Sequence, residues 1–144
     1  MLRNMVKVAI LGPPDYADTD SVCRYAARIP TEAVLLIDKD TSIGAALWKR
    51  DLDHGVVACT NGPARIVEQA DVIVIYWDGS CLDTRRVIAH AVAHAVLARK
   101  KVAVHHREGV VTFENGELSA ILEEGSKAAR QDSLWLLERL CLRS

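Results

Sequence analysis

Several features are scarce in this chain, and each absence narrows what it can do. The strand-like apolar runs, Ala33 to Ile37 and Val72 to Trp77, fall far short of the roughly 20 residues needed to cross a bilayer. Neither sign of charge prevails: 18 Lys and Arg stand against 19 Asp and Glu, a formal net charge of −1. Bulk electrostatics therefore give no reason to expect duplex nucleic acid or an anionic membrane as partner. The four cysteines, Cys23, Cys59, Cys81 and Cys141, show no CxxC or zinc-ligand spacing. They read as reduced thiols of a cytoplasmic protein. No secretory signal is expected, because Met1 to Gly12 leads directly into what reads as a first core strand. Internal repeats and low-complexity tracts are absent.

What is present is the alternation of an α/β domain. The 144 residues, half of them hydrophobic, suit one compact core. Strands are predicted over Val6 to Leu11, Ala33 to Ile37, Val56 to Cys59, Val72 to Tyr76 and Val102 to His105, of which Val72 to Tyr76 has the continuous β-branched character of a strand buried on both faces. Between them, helices are predicted over Asp20 to Ile29, Ile43 to Leu52, Ala64 to Gln69 and Leu82 to Ala98. Thr41 or Ser42 caps the second, His54-Gly55 closes it, and Pro63 opens the third. The pattern predicts a Rossmann-like three-layer sandwich around a five-stranded, mainly parallel sheet, over residues 1–107. Residues 108–144 form an extension: a hairpin beginning at Val110 to Phe113 and turning at Asn115-Gly116, then a helix over Ser119 to Leu142 with a weak point at Gly125. Trp135, Leu137, Leu140 and Leu142 surround that helix's last part, so it is expected to pack on the domain or build a homodimer or homotetramer.

Ligands of open parallel sheets bind beyond the carboxyl ends of the strands, so the loops there are the candidate sites. Gly12-Pro13-Pro14-Asp15-Tyr16 follows strand one. Its two prolines remove two amides, which argues against the pyrophosphate cradle of an NAD or FAD site, and no cofactor is expected. Asp15 and Tyr16 offer a carboxylate for a ribose and a ring for a base, or are turn residues. After strand two, Thr41, Ser42 and Gly44 form a phosphate seat at a helix start or simply cap it; Asp38 and Asp40 oppose the anion. After strand four, Trp77, Asp78, Gly79 and Ser80 suit a base and a ribose, against Trp77 as core and Asp78 as loop former. Thr84 is a cap or a phosphate ligand, and Arg85 an anion contact or a solvated first-turn residue. His90 and His94 have a two-ligand spacing without a third ligand, so no metal is expected. His105 and His106 end strand five at the same edge. No Ser-His-Asp or Cys-His set can be argued from spacing.

Together these residues resemble the SLOG superfamily of Rossmann-like nucleotide binders, in particular its small YspA-like branch, over about residues 5–106. Gly12, Asp15 and Tyr16 look like that branch's G-x-R-D-aromatic turn, and Gly62-Pro63-Ala64-Arg65 resembles its G-P-x-R-N segment. Trp77-Asp78-Gly79 and Thr84-Arg85 are similar to its aromatic-W-D-G and G-T-R elements. The resemblance adds Arg65 to the candidate ligand contacts. The chain departs from the pattern at Pro14, Ile66 and Asp83, and Asp38 to Gly44 replaces the branch's glycine-rich phosphate loop. Val87 stands where the related nucleoside deoxyribosyltransferases carry a nucleophilic glutamate, so carboxylate catalysis would fall to Asp78 or Asp83. The expectation is a sensor or carrier module for a nucleotide-like small molecule. The alternatives are hydrolysis or transfer at an N-glycosidic bond, with Asp78 as nucleophile or base, and a non-binding interaction module.

Overall fold

The computed structural model describes residues 5–50, 54–59, 62–79, 81–106, 109–114 and 117–122, with residues 96, 97 and 117–122 described by their backbone alone. In chain order the elements are β1 (Lys7–Leu11), α1 (Thr19–Arg28), β2 (Val34–Ile37), α2 (Ser42–Lys49), β3 (Gly55–Ala58), α3 (Pro63–Gln69), β4 (Val72–Tyr76), α4 (Leu82–Ala98), β5 (Lys101–His106), β6 (Gly109–Glu114) and β7 (Glu117–Leu122). The strands form one sheet in the order β3, β2, β1, β4, β5, β6, β7. The first five in sequence run parallel. β6 and β7 return antiparallel on the β5 edge.

Strand alternation divides the core in two. Ala9, Leu11, Ile73, Ile75, Val102 and Val104 project to one face, where Ile66 and Val67 of α3 and Ile88, Ala91 and Ala95 of α4 cover them. Val8, Ile10, Leu35, Ile37, Val74 and Tyr76 project to the other, beneath Val22, Cys23 and Ala26 of α1 and Ile43 and Leu47 of α2. A sheet buried on both faces needs continuous apolar strands, and β1 and β4 have them. Each of the four helices fills one crossover, as parallel neighbours require.

The structure corrects the expected architecture at three places. The sheet has seven strands and not five, because the hairpin does not stand apart: Val102 pairs with Phe113 and Val104 with Val111. Val111 and Phe113 are buried in the core beneath α3 and α4. Second, Ser119 to Leu122 is strand and not the start of a helix; it pairs with β6 from Glu114↔Glu117 to Gly109↔Leu122. A short apolar run fits either period, and here the free edge of β6 decides for the strand. Third, α2 ends at Lys49, capped by Arg50, short of Leu52 and of the expected His54-Gly55 stop; Gly55 opens β3 instead. Residues 123–144, including Gly125 and the expected helix at Leu134 to Leu142, lie outside the described residues. Among the described residues no helix is long and apolar enough to cross a membrane.

Candidate functional site

The sheet order reverses at β1. From β1 the chain moves outward to β2 and β3, then crosses back to β4 on the other side of β1. Crossovers that diverge on opposite faces leave a crevice beyond the carboxyl ends of the strands at that switch point. A cavity of about 410 Å³ occupies it. Leu11, Gly12 and Pro14 line it from the end of β1, Asp38 and Thr41 from the loop after β2, and Pro63 from the start of α3. Ile75 of β4 and Asp83, Thr84, Arg86 and Val87 of the first turns of α4 complete it. Its walls are mainly apolar, with a few polar groups among them, as in small-molecule sites.

The loop after β2 is held by its own hydrogen bonds. The Asp40 amide donates to Asp38 Oδ1 (3.0 Å), and the Thr41 hydroxyl donates to the Asp38 carbonyl (2.8 Å). Thr41 caps α2 by accepting from the Gly44 amide (3.1 Å). Ser42 ties this loop to the one after β1: its hydroxyl donates to the Tyr16 carbonyl (2.8 Å) and its amide to the Pro14 carbonyl (2.9 Å). The first turn of α2 lies so close to Asp38 that a Cβ on Gly44 would collide with the Asp38 carbonyl. The capping alternative is thus the one the hydrogen bonds display: the Ser42 and Gly44 amides are engaged by Pro14 and Thr41, and Thr41 alone of the three lines the cavity.

At α4 Thr84 does not serve as the helix cap. Cys81 is the N-cap, and Thr84 lies inside the first turn. The residue is 3% exposed yet borders the cavity. Asp78 shapes the approach to this helix by accepting from the Cys81 amide (3.2 Å). Gly79 between them has φ +92°, a conformation that disfavours other residues. Asp83 in the first turn stands 3.6 Å from Arg86, both largely exposed.

Trp77 is not at the cavity. It is 1% exposed, packs in the core beneath α3 and α4, and donates from Nε1 to the Cys81 carbonyl (3.2 Å). The alternation that turns Ile73 and Ile75 to that face turns Trp77 there too. Arg85 accompanies it, its guanidinium 5.5 Å from the indole centroid, and Arg86, not Arg85, lines the cavity. Asp78 also lies outside the cavity lining. Asp15 and Arg65 are exposed and do not line the cavity either. Ser80 lies outside the described residues. Of the expected contacts, the structure brings together Gly12, Thr41 and Thr84. The sequence reading passes over Asp38 as a contact, although an acidic residue at the end of the second strand is where dinucleotide-binding sheets hold a ribose hydroxyl.

On the α1 side of the same sheet edge, Tyr16, Tyr25, Tyr76 and His105 form an aromatic cluster. His105 stacks on Tyr76 (centroids 4.6 Å, 27° between planes) and meets the edge of Tyr25 at 4.6 Å, while Tyr16 tilts against Tyr76 at 5.6 Å. Burial pushes the Tyr76 and Tyr25 hydroxyls up from the ordinary phenol range. Tyr16 is raised by burial and then by the carboxylates of Asp18 and Asp78. These phenols are neutral hydrogen-bonding groups at physiological pH, not bases. His106 turns to the opposite face and meets Trp77 edge-on at 5.9 Å.

His90 and His94 lie one turn apart on α4, ring centroids 6.4 Å apart, with Glu68 4.0 Å from His90 Nε2. Among the described residues no group of three or more His, Cys, Asp or Glu is placed to hold a metal ion. No protein-family model matches the sequence, and comparison with characterised proteins and with solved structures finds no match either.

Proposed function

We propose that the chain binds a nucleotide or nucleotide-derived small molecule in the cavity at the β1/β4 switch point, as a sensor or carrier module of Rossmann-like, SLOG-type design. One observation carries this reading: Asp38 and the nearly buried Thr84 border one mainly apolar cavity of about 410 Å³ at the switch point. That volume falls in the roughly 300–1,000 Å³ typical of small-molecule sites. Leu11, Ile75 and Val87 supply apolar surface for a base, and Asp38 occupies the position from which such sheets hold a ribose.

Two carboxylates on the cavity, Asp38 and Asp83, support a second reading as an N-glycosidic bond hydrolase. The Asp83 side chain is 83% exposed and stands beside Arg86. A water-exposed carboxylate lacks the desolvation that tunes catalytic acids and bases, so binding is the reading carried furthest. Isothermal titration of the full chain with nucleosides, nucleoside monophosphates, cyclic nucleotides, ATP and ADP-ribose tests it. Binding tighter than millimolar to at least one of them, weakened by Thr84→Val, is the expected result. Heat from none of them removes the proposal, and release of free base from any of them would move the protein to the enzyme class.

A further inference from the structure

We infer that Arg86 is the specificity-determining residue of this cavity, selecting a ligand that carries a phosphate monoester over its uncharged nucleoside; the inference rests on the binding reading above. Of the described residues that line the cavity, Arg86 alone is cationic. The carboxylates of the lining enter from different elements, Asp38 from the loop after β2 and Asp83 from α4. At the β2 end, Asp38 repels an anion and favours a group with hydrogens to donate. The backbone there does not offset that repulsion. Pro13 and Pro14 carry no amide hydrogen, the Ser42 amide donates to Pro14 and the Gly44 amide to Thr41. An acidic group on the ligand is therefore directed to the other side, where α4 begins.

Helical periodicity decides which arginine faces that side. Asp83, Arg86 and Val87 recur at i, i+3 and i+4, one stripe of the helix, and all three line the cavity. Arg85 falls about 100° away around the axis, where its guanidinium lies 5.5 Å from the Trp77 centroid and outside the lining. Arg86 stands 3.6 Å from Asp83, with the two side chains 72% and 83% exposed. An ion pair this long and this wet holds its members weakly. The guanidinium can thus exchange Asp83 for an anion of the ligand without leaving its place, and its planar fork matches two phosphate oxygens. The 17-residue α4 begins with no side-chain hydrogen bond capping it, so its positive end adds to the charge of Arg86. The lining suits a bipolar ligand: its anion toward α4, its sugar hydroxyls toward Asp38, and a flat apolar part on Leu11 and Ile75, whose strands β1 and β4 adjoin in the sheet.

Isothermal titration of the full chain with the four ribonucleosides and their 5′-monophosphates, for the wild type, Arg86→Gln and Asp83→Asn, tests this. At least one monophosphate should bind about 10-fold tighter than its nucleoside, the effect of one charge-assisted hydrogen bond, and added salt should shrink that margin. Arg86→Gln should bring the margin close to unity. Asp83→Asn removes the competing carboxylate and should widen the margin by roughly 3-fold. Both side chains are largely exposed, so neither change opens the core. A nucleoside that binds as tightly as its monophosphate overturns the inference and leaves the binding proposal standing. A margin that survives Arg86→Gln, or that narrows in Asp83→Asn, does the same. No binding in either set overturns both.

Discussion

A methyl group on Gly44 would press into the backbone carbonyl of Asp38, which the Thr41 amide and hydroxyl already hold in place. Neither side can yield cheaply, because the obstacle is main chain and the helix is capped there. Gly44→Ala is therefore expected to destabilise the protein by about 3 kcal/mol, near the top of the usual range for overpacking. Urea denaturation checks this, and a loss below 1 kcal/mol would show that the loop is free to move. His105 makes a different residue-scale prediction. Burial lowers its pKa below the ordinary imidazole value, and the groups facing it are the neutral rings of Tyr25 and Tyr76. Its unfolded form takes up a proton first as pH falls, so its contribution to stability is intact above about pH 6.5 and is lost as pH drops toward the folded value. Calorimetry from pH 7.5 to 5 should show the melting temperature of the wild type falling more than that of His105→Phe. Equal slopes would assign the pH dependence to other groups.

At the scale of elements, the hairpin of β6 and β7 is part of the core it was expected to accompany. Phe113 is 5% exposed among residues of α3, α4 and β4, so Phe113→Ala should cost about 3–5 kcal/mol within a single cooperative urea transition. Two separate transitions would mean that the hairpin folds apart from the sheet. The sequence made the inner parallel strands legible because burial on both faces demands unbroken apolar runs, and Val72 to Tyr76 is one. β7 was illegible for the reverse reason. Leu118 to Leu122 carries no period that distinguishes strand from helix, and what makes it a strand is the hydrogen-bonding edge of β6, a tertiary fact. The candidate site was half legible. Its location followed from topology, and Gly12, Thr41 and Thr84 from the loops. Trp77 misled, since aromatic residues at a strand end suit a base equally well as a core. Counting alternate residues from Ile73 would have sent it inward. Asp38 was hidden by its neighbours, because Asp38 to Ser42 has the composition of an ordinary helix cap, which it also is.

Over the whole molecule, the cavity joins parts of the fold that otherwise meet mainly through the sheet. Asp38 and Thr41 belong to the half that winds outward from β1 through α1 and α2, whereas Thr84 and Val87 belong to the half that returns through β4 and α4. A ligand touching both sides links them, and its binding free energy is shared by every state in which the two remain together. Saturation at 100 times the dissociation constant should raise the free energy of unfolding by about 2.7 kcal/mol, provided the unfolded chain does not bind. The local pattern is more diagnostic than the total. Amide exchange should slow in the loops after β1 and β2 and in the first turn of α4 at once, since these are the segments the ligand would hold. The pairing of β6 with β7 lies at the far edge of the sheet, so local openings there should be unaffected by the ligand. Hydrogen exchange read by mass spectrometry, with and without the tightest binder, separates these outcomes. Protection confined to the α1 side, around Tyr16, Tyr25 and His105, would place the ligand on the aromatic cluster and not in the cavity.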